Sequence, residues 1–136
     1  MSNIGKPGSS LRAFRDYLDG SNIVGLEFDS NILFQEERIQ TYYFDQNEIS
    51  SLNNLPNEYL EKVDVLIDDG LHSVVANINS IFFAQKLLKS GGYLVIEDIS
   101  KYSEKLYQLI LFIAKENFYI DLYTNNSCLV AVLKKK

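Results

Sequence analysis

Hydrophobic and polar positions change period along this chain in an order that alternates helix with strand. Leu11, Phe14 and Leu18 recur at helical spacing behind Ser9-Ser10, and Gly20 follows, so residues 9–18 read as a capped helix stopped by glycine. Asn22 to Asp29 reads as a strand ending in acids, residues 31–38 as a short helix or helical turn, and Ile39 to Phe44 as another strand, rich in β-branched and aromatic residues. Residues 48–61, with Pro56 inside, read as loop and a short helix. Val63 to Ile67 is a near-continuous apolar run, the mark of a parallel strand covered on both faces. Val74, Val75, Ile78, Ile81, Phe82, Leu87 and Leu88 then predict a helix over 73–89, with Gly91-Gly92 as its stop. Tyr93 to Ile96 is the next buried strand and Ser103 to Lys115 a helix. Phe118 to Tyr123 and Cys128 to Leu133 are strands joined by the turn-type cluster Thr124-Asn125-Asn126-Ser127. The alternation predicts one α/β domain over 1–136, with a mostly parallel sheet and a C-terminal antiparallel hairpin.

Chemistry gathers where two of these strands end. Val63-Asp64-Val65-Leu66-Ile67 breaks into Asp68-Asp69-Gly70-Leu71-His72, which holds the only histidine. Tyr93-Leu94-Val95-Ile96 breaks in the same way into Glu97-Asp98. Ligands of open α/β sheets bind outside the carboxyl ends of parallel strands. If these two strands are neighbours, Asp69, His72, Glu97 and Asp98 converge, a carboxylate cluster with one base beside it. That set suits a hard divalent cation and proton transfer. Helix capping accounts for one acid at each place but not for two. Tyr42-Tyr43 reads as sheet packing, and Gly91-Gly92 lacks the Lys or Thr that a phosphate loop requires.

Bulk properties narrow the classes. The chain has 136 residues, 46% hydrophobic and 23% charged, enough for one modest domain. A net charge of -5 without a basic stripe argues against nucleic-acid binding, and Lys134-Lys135-Lys136 reads as a solubilising end. No apolar run approaches a membrane span and the first residues are polar, so a cytoplasmic protein without membrane contact is expected. The single cysteine, Cys128, excludes an internal disulfide and reads as inert core packing. A homo-oligomer is compatible with this composition.

Six segments in series carry a family resemblance. They are Ser10-Leu11-Arg12, Val24-Gly25-Leu26-Glu27, Arg38-Ile39, Phe44-Asp45-Gln46, Ile67-Asp68-Asp69-Gly70-Leu71-His72 and Gly91-Gly92-Tyr93-Leu94-Val95-Ile96-Glu97-Asp98. Their order resembles the class I S-adenosylmethionine-dependent methyltransferases, closest to the metal-dependent macrolide sugar O-methyltransferases of the mycinamicin type and the cephalosporin hydroxylase-like group. The resemblance covers residue 4 to about residue 100. It implies a Rossmann-like fold, an S-adenosylmethionine cofactor and Mg²⁺, and a sugar or other small-molecule hydroxyl as methyl acceptor. It implies that Asp69, Glu97 and Asp98 hold Mg²⁺ and that His72 takes the proton. Glu27 would meet the ribose hydroxyls, Asp45 and Gln46 the adenine, and Gly5 and Asp68 the remainder of the cofactor.

The chain departs from the family at its start. Asn3-Ile4-Gly5-Lys6-Pro7-Gly8 stands where the family has an acidic, glycine-rich first loop, and the first, central strand is largely missing. The sequence therefore reads as N-terminally truncated. The alternative is a degenerate or partial Rossmann-like binding module without catalytic activity.

Overall fold

The computed structural model describes residues 6–124 and 127–136. Two compact units follow one another in the chain, Met1–Asp45 and Gln46–Lys136.

The first unit holds helix α1 (Ser9–Tyr17) and strands β1 (Ile23–Glu27), β2 (Gln35–Glu36) and β3 (Ile39–Tyr43). Strand β3 lies at the centre, parallel to β1 and antiparallel to β2. Gly25 is explained by α1, because a Cβ there would run into the Leu11 side chain. Arg12 holds the helix to β2 through a two-pronged contact with Glu36, at 2.6 and 3.0 Å to Oε1. Arg38 donates to the carbonyls of Arg15, Leu18 and Ser21, orphaned acceptors around the helix C-terminus.

Two expectations need correction in this unit. The cap of α1 is Gly8, at φ 77°, and Ser9 is the first helical residue, its hydroxyl donating to Lys6 O at 2.5 Å. The helical turn expected within 31–38 is confined to Ser30–Ile32, and the rest of the segment is extended and leads into β2. Thr41 accounts for the difference, since its Oγ1 accepts from Phe34 N at 2.6 Å and donates to Phe34 O at 2.7 Å, holding that backbone extended beside β3.

The second unit holds β4 (Val63–Asp68), α2 (Val74–Leu87), β5 (Leu88–Ser100), α3 (Glu104–Ala114), β6 (Phe118–Thr124) and β7 (Cys128–Lys135). Sheet order is β4-β5-β7-β6, with β4 and β5 parallel and β7 antiparallel to both of its neighbours. The strand from Cys128 thus inserts between β5 and β6, completing the expected hairpin. One face of the sheet makes the core: Leu94, Ile96, Leu129, Ala131 and Leu133 pack with Ile81 and Ala84 of α2 and Tyr107, Leu111 and Ala114 of α3. Each leucine or isoleucine among them contributes about 1.5–3 kcal/mol through burial.

Both helices fall on that one face, which corrects the expectation that β4 is covered on both. Val65 is 52% exposed and Ile67 39% exposed on the other side. Cys128 is half-buried at the start of β7, and its neighbour Leu129 is the core residue. The helical stretch ends at Leu87 rather than running to 89, and Gly91-Gly92 lies inside β5 rather than stopping a helix. The backbone bulges there: Val63 is opposite Leu88, yet Val65 is opposite Tyr93. Gly91 takes φ 79°, and a Cβ on Gly92 would sit 3.0 Å from both Lys89 O and Val63 O. Among the described residues no helix is long and apolar enough to cross a membrane.

This close approach makes Gly92 the sensitive position of the bulge. Gly92→Ala should lower stability by roughly 1–3 kcal/mol, because the neighbours that must give way are backbone carbonyls. Urea unfolding of the variant and the parent chain measures it, and an unchanged midpoint would show that the bulge has room to spare.

Candidate metal centre

Parallel pairing of β4 with β5 sets Ile67 opposite Val95 and Asp68 opposite Ile96, so the two acidic strand ends are neighbours. Beyond Asp68 the chain runs through Asp69-Gly70-Leu71-His72 to Ser73, whose Oγ caps α2 by accepting from Ala76 N at 3.2 Å. Beyond Ile96, the pairing of β5 with β7 is interrupted until Ile99, and Glu97-Asp98 occupies the irregularity. His72 and Asp98 both hold the left-handed backbone, at φ 48° and 51°. Non-glycine residues adopt this conformation rarely, and it concentrates at functional sites.

These two turns bring side chains together. One ligand atom each from Asp69, His72 and Asp98 lies within 4.8 Å of the others, and all three residues are exposed. His72 Nε2 is 3.7 Å from Asp69 Oδ1. Two carboxylates and an imidazole at an open position fit a divalent cation that keeps several waters. Glu97 is half-buried on the same bulge and is not part of that group.

Behind the cluster lies a buried polar chain. Asp68 is only 5% exposed, and its carboxylate is held from several sides. Gln46 Nε2 donates to Oδ1 at 2.6 Å, Gly70 N to the same oxygen at 3.3 Å, and Asn77 Nδ2 to Oδ2 at 2.7 Å. Tyr107 Oη donates in turn to Asn77 Oδ1. Gln46 also donates to Ser80 Oγ at 2.9 Å, accepts from Leu71 N at 3.1 Å on Oε1, and accepts from Asn79 Nδ2 at 2.9 Å on its carbonyl. Among the described residues no buried side-chain polar atom lacks a partner. Burial, and then the negative charge of Asp68, push the Tyr107 phenol above its ordinary value of 10.0.

The remaining residues singled out in the sequence lie in the first unit. Glu27 ends β1, and its Oε1 accepts from Asp29 N at 3.0 Å. Asp45 follows β3 and is half-buried. Gly5 lies outside the described residues. Sequence reasoning missed Asn77, Ser80 and Tyr107. The signal was available in α2: Asn77, Asn79 and Ser80 interrupt an otherwise apolar helix, and all three are buried.

No protein-family model matches the chain. In sequence it is 33% identical over 93 residues to demethylmacrocin O-methyltransferase of Streptomyces fradiae, and equally to mycinamicin VI 2''-O-methyltransferase of Micromonospora griseorubida. Each match covers 68% of this chain and 23% of the other, so the chain spans under a quarter of the length of these curated relatives. In structure it resembles the MycE methyltransferase of the mycinamycin biosynthetic pathway, solved with Mg, SAH and mycinamycin VI. That match has a TM-score of 0.70 at 25% identity, over 94% of this chain and 40% of that one. A protein from Pyrococcus horikoshii shares the fold at TM-score 0.64 and 14% identity, over 96% of this chain and 78% of that one.

The Tyr107 shift gives an alkaline signature. The unfolded phenol releases its proton near 10.0, whereas the folded one retains it to higher pH. The folded state then binds more protons, so stability falls as pH rises through that interval. Tyr107→Phe should lose this part of the alkaline slope, while costing about 1–3 kcal/mol at neutral pH through the stranded Asn77 acceptor. Urea titrations of both proteins at several alkaline pH values test it; identical slopes would remove Tyr107 from the account.

Proposed function

We propose that this chain, which carries the class I S-adenosylmethionine-dependent methyltransferase fold and is related in sequence to sugar O-methyltransferases, is the catalytic part of an O-methyltransferase. Its acceptor would be a hydroxyl of a sugar or another small molecule, with S-adenosylmethionine as methyl donor and Mg²⁺ as cofactor. The observation that carries the reading is the meeting of Asp69, His72 and Asp98 at the carboxyl ends of two paired parallel strands. The named relatives and the MycE complex support the chemistry assigned to that place.

Roles divide by what each side chain can do. Asp69 and Asp98 would hold Mg²⁺, which is commonly bound through one or two carboxylates, with Glu97 from the same bulge as a further ligand. When bound, the cation supplies Lewis acidity and a template for the acceptor hydroxyl. His72 would take the hydroxyl proton as general base, for which an exposed imidazole with Nε2 toward Asp69 is suited. Glu27 would accept hydrogen bonds from the ribose hydroxyls, and Asp45 would serve the adenine.

Two substitutions separate these roles. At saturating S-adenosylmethionine and Mg²⁺, His72→Ala should lower turnover about a hundredfold with little change in cofactor affinity. Glu27→Ala should weaken cofactor binding first. Radiolabelled methyl transfer to a panel of sugar hydroxyls, with S-adenosylhomocysteine calorimetry alongside, measures both. Full turnover by His72→Ala would leave His72 as a turn residue only.

A further inference from the structure

The loop that carries Asp69 and His72 belongs to no strand or helix, and His72 sits in a rarely adopted backbone conformation. Something must hold it. Among the described residues its anchors are few. Gly70 N donates to Asp68 Oδ1, and Leu71 N donates to Gln46 Oε1. The Gln46 carboxamide is itself fixed, because both partners of its Nε2 are acceptors, Asp68 Oδ1 and Ser80 Oγ. One amide therefore uses its donor end on a buried carboxylate and its acceptor end on the loop. Glutamate in its place could not donate, and a lysine could not accept. Gly70 leaves no slack, since a Cβ there would run into the Gln46 carboxamide. The far side of Asp68 is held by Asn77 and, through it, Tyr107, both deep in the core.

We infer that Gln46 and Asp68 are positioning residues for the metal centre: with Asn77 and Tyr107 they lock the turn Asp69–His72 so that Asp69 meets Asp98. This rests on the metal reading given above. It departs from a role for Gln46 and Asp68 in touching the cofactor, because the groups they would use are already engaged inside the protein. Partners that orient metal ligands typically change affinity ten- to a hundredfold when removed.

Mn²⁺ is the probe, with free ion counted by electron paramagnetic resonance on the whole chain, well below every unfolding midpoint. Asp69→Asn should abolish binding. Gln46→Met keeps length and apolar volume but removes both hydrogen-bonding ends, and should raise the Mn²⁺ dissociation constant about ten- to a hundredfold. Gly92→Ala, destabilised at a bulge remote in sequence from the loop, should bind Mn²⁺ like the parent, so that loss of stability alone does not mimic the effect. Should Gln46→Met fail to fold, Ser80→Ala removes one of the two acceptors that orient the amide and should raise the constant severalfold. Absence of Mn²⁺ binding by the parent, or binding unaffected by Asp69→Asn, overturns the metal reading and this inference with it. Binding abolished by Asp69→Asn but unchanged by Gln46→Met, or by Ser80→Ala where that variant stands in, overturns the positioning role alone.

Discussion

A carboxylate taken out of water must be supplied with donors, and the second unit is organised around meeting that demand at Asp68. The residue ends β4 at 5% exposure. An unsatisfied charge there would cost several kcal/mol. Donors arrive from three places in the chain: Gln46 ahead of the strand, Gly70 just beyond it, and Asn77 one turn into α2. Satisfying one side chain thus ties the start of the unit, the strand end and the helix to a common point. Apolar packing on the α2–α3 face decides that these elements associate, while Asp68 decides their register at the strand end.

From that point the two acidic turns acquire their geometry in different ways. The turn after β4 is shaped by side chains and by the absence of one at Gly70. The turn in β5 is shaped by pairing, because the ladder with β7 breaks between Ile96 and Ile99 and resumes beyond. Parallel register then places one turn beside the other. A cation would gather the two carboxylates that such an arrangement otherwise leaves to repel each other across open solvent.

Much of this was legible in the residues. The runs Val63–Ile67 and Tyr93–Ile96 end abruptly in acids, and such a change of character marks a buried strand and the place where the acids of the two strands meet. The helix before the first strand, though not its cap, and the closing pair of strands were also legible from their apolar periods. Gly91-Gly92 was misread because a helix stop and a strand bulge use the same residue for the same backbone freedom. Residues 33–38, beyond the turn Ser30–Ile32, were misread because the deciding contact is Thr41, on the following strand. The chain of Gln46, Asp68, Asn77 and Tyr107 left one trace in the sequence, the polar residues that interrupt α2, and it was missed. Its members are far apart in sequence, and polar residues in a helix ordinarily face water. Only the fold reveals that Asn77 and Ser80 point inward.

The left-handed backbone at His72 and Asp98 sets evolution and engineering a choice. A side chain in that conformation gives up about 1–2 kcal/mol, somewhat less for aspartate, that glycine would not. Glycine at either place would thus make a sturdier protein with an emptier centre. Selection for thermal stability alone would drift toward it, and sequences shaped only by folding should show glycine where this one keeps an imidazole and a carboxylate. Under the proposed function, stability and ligand chemistry pull against each other at these two residues.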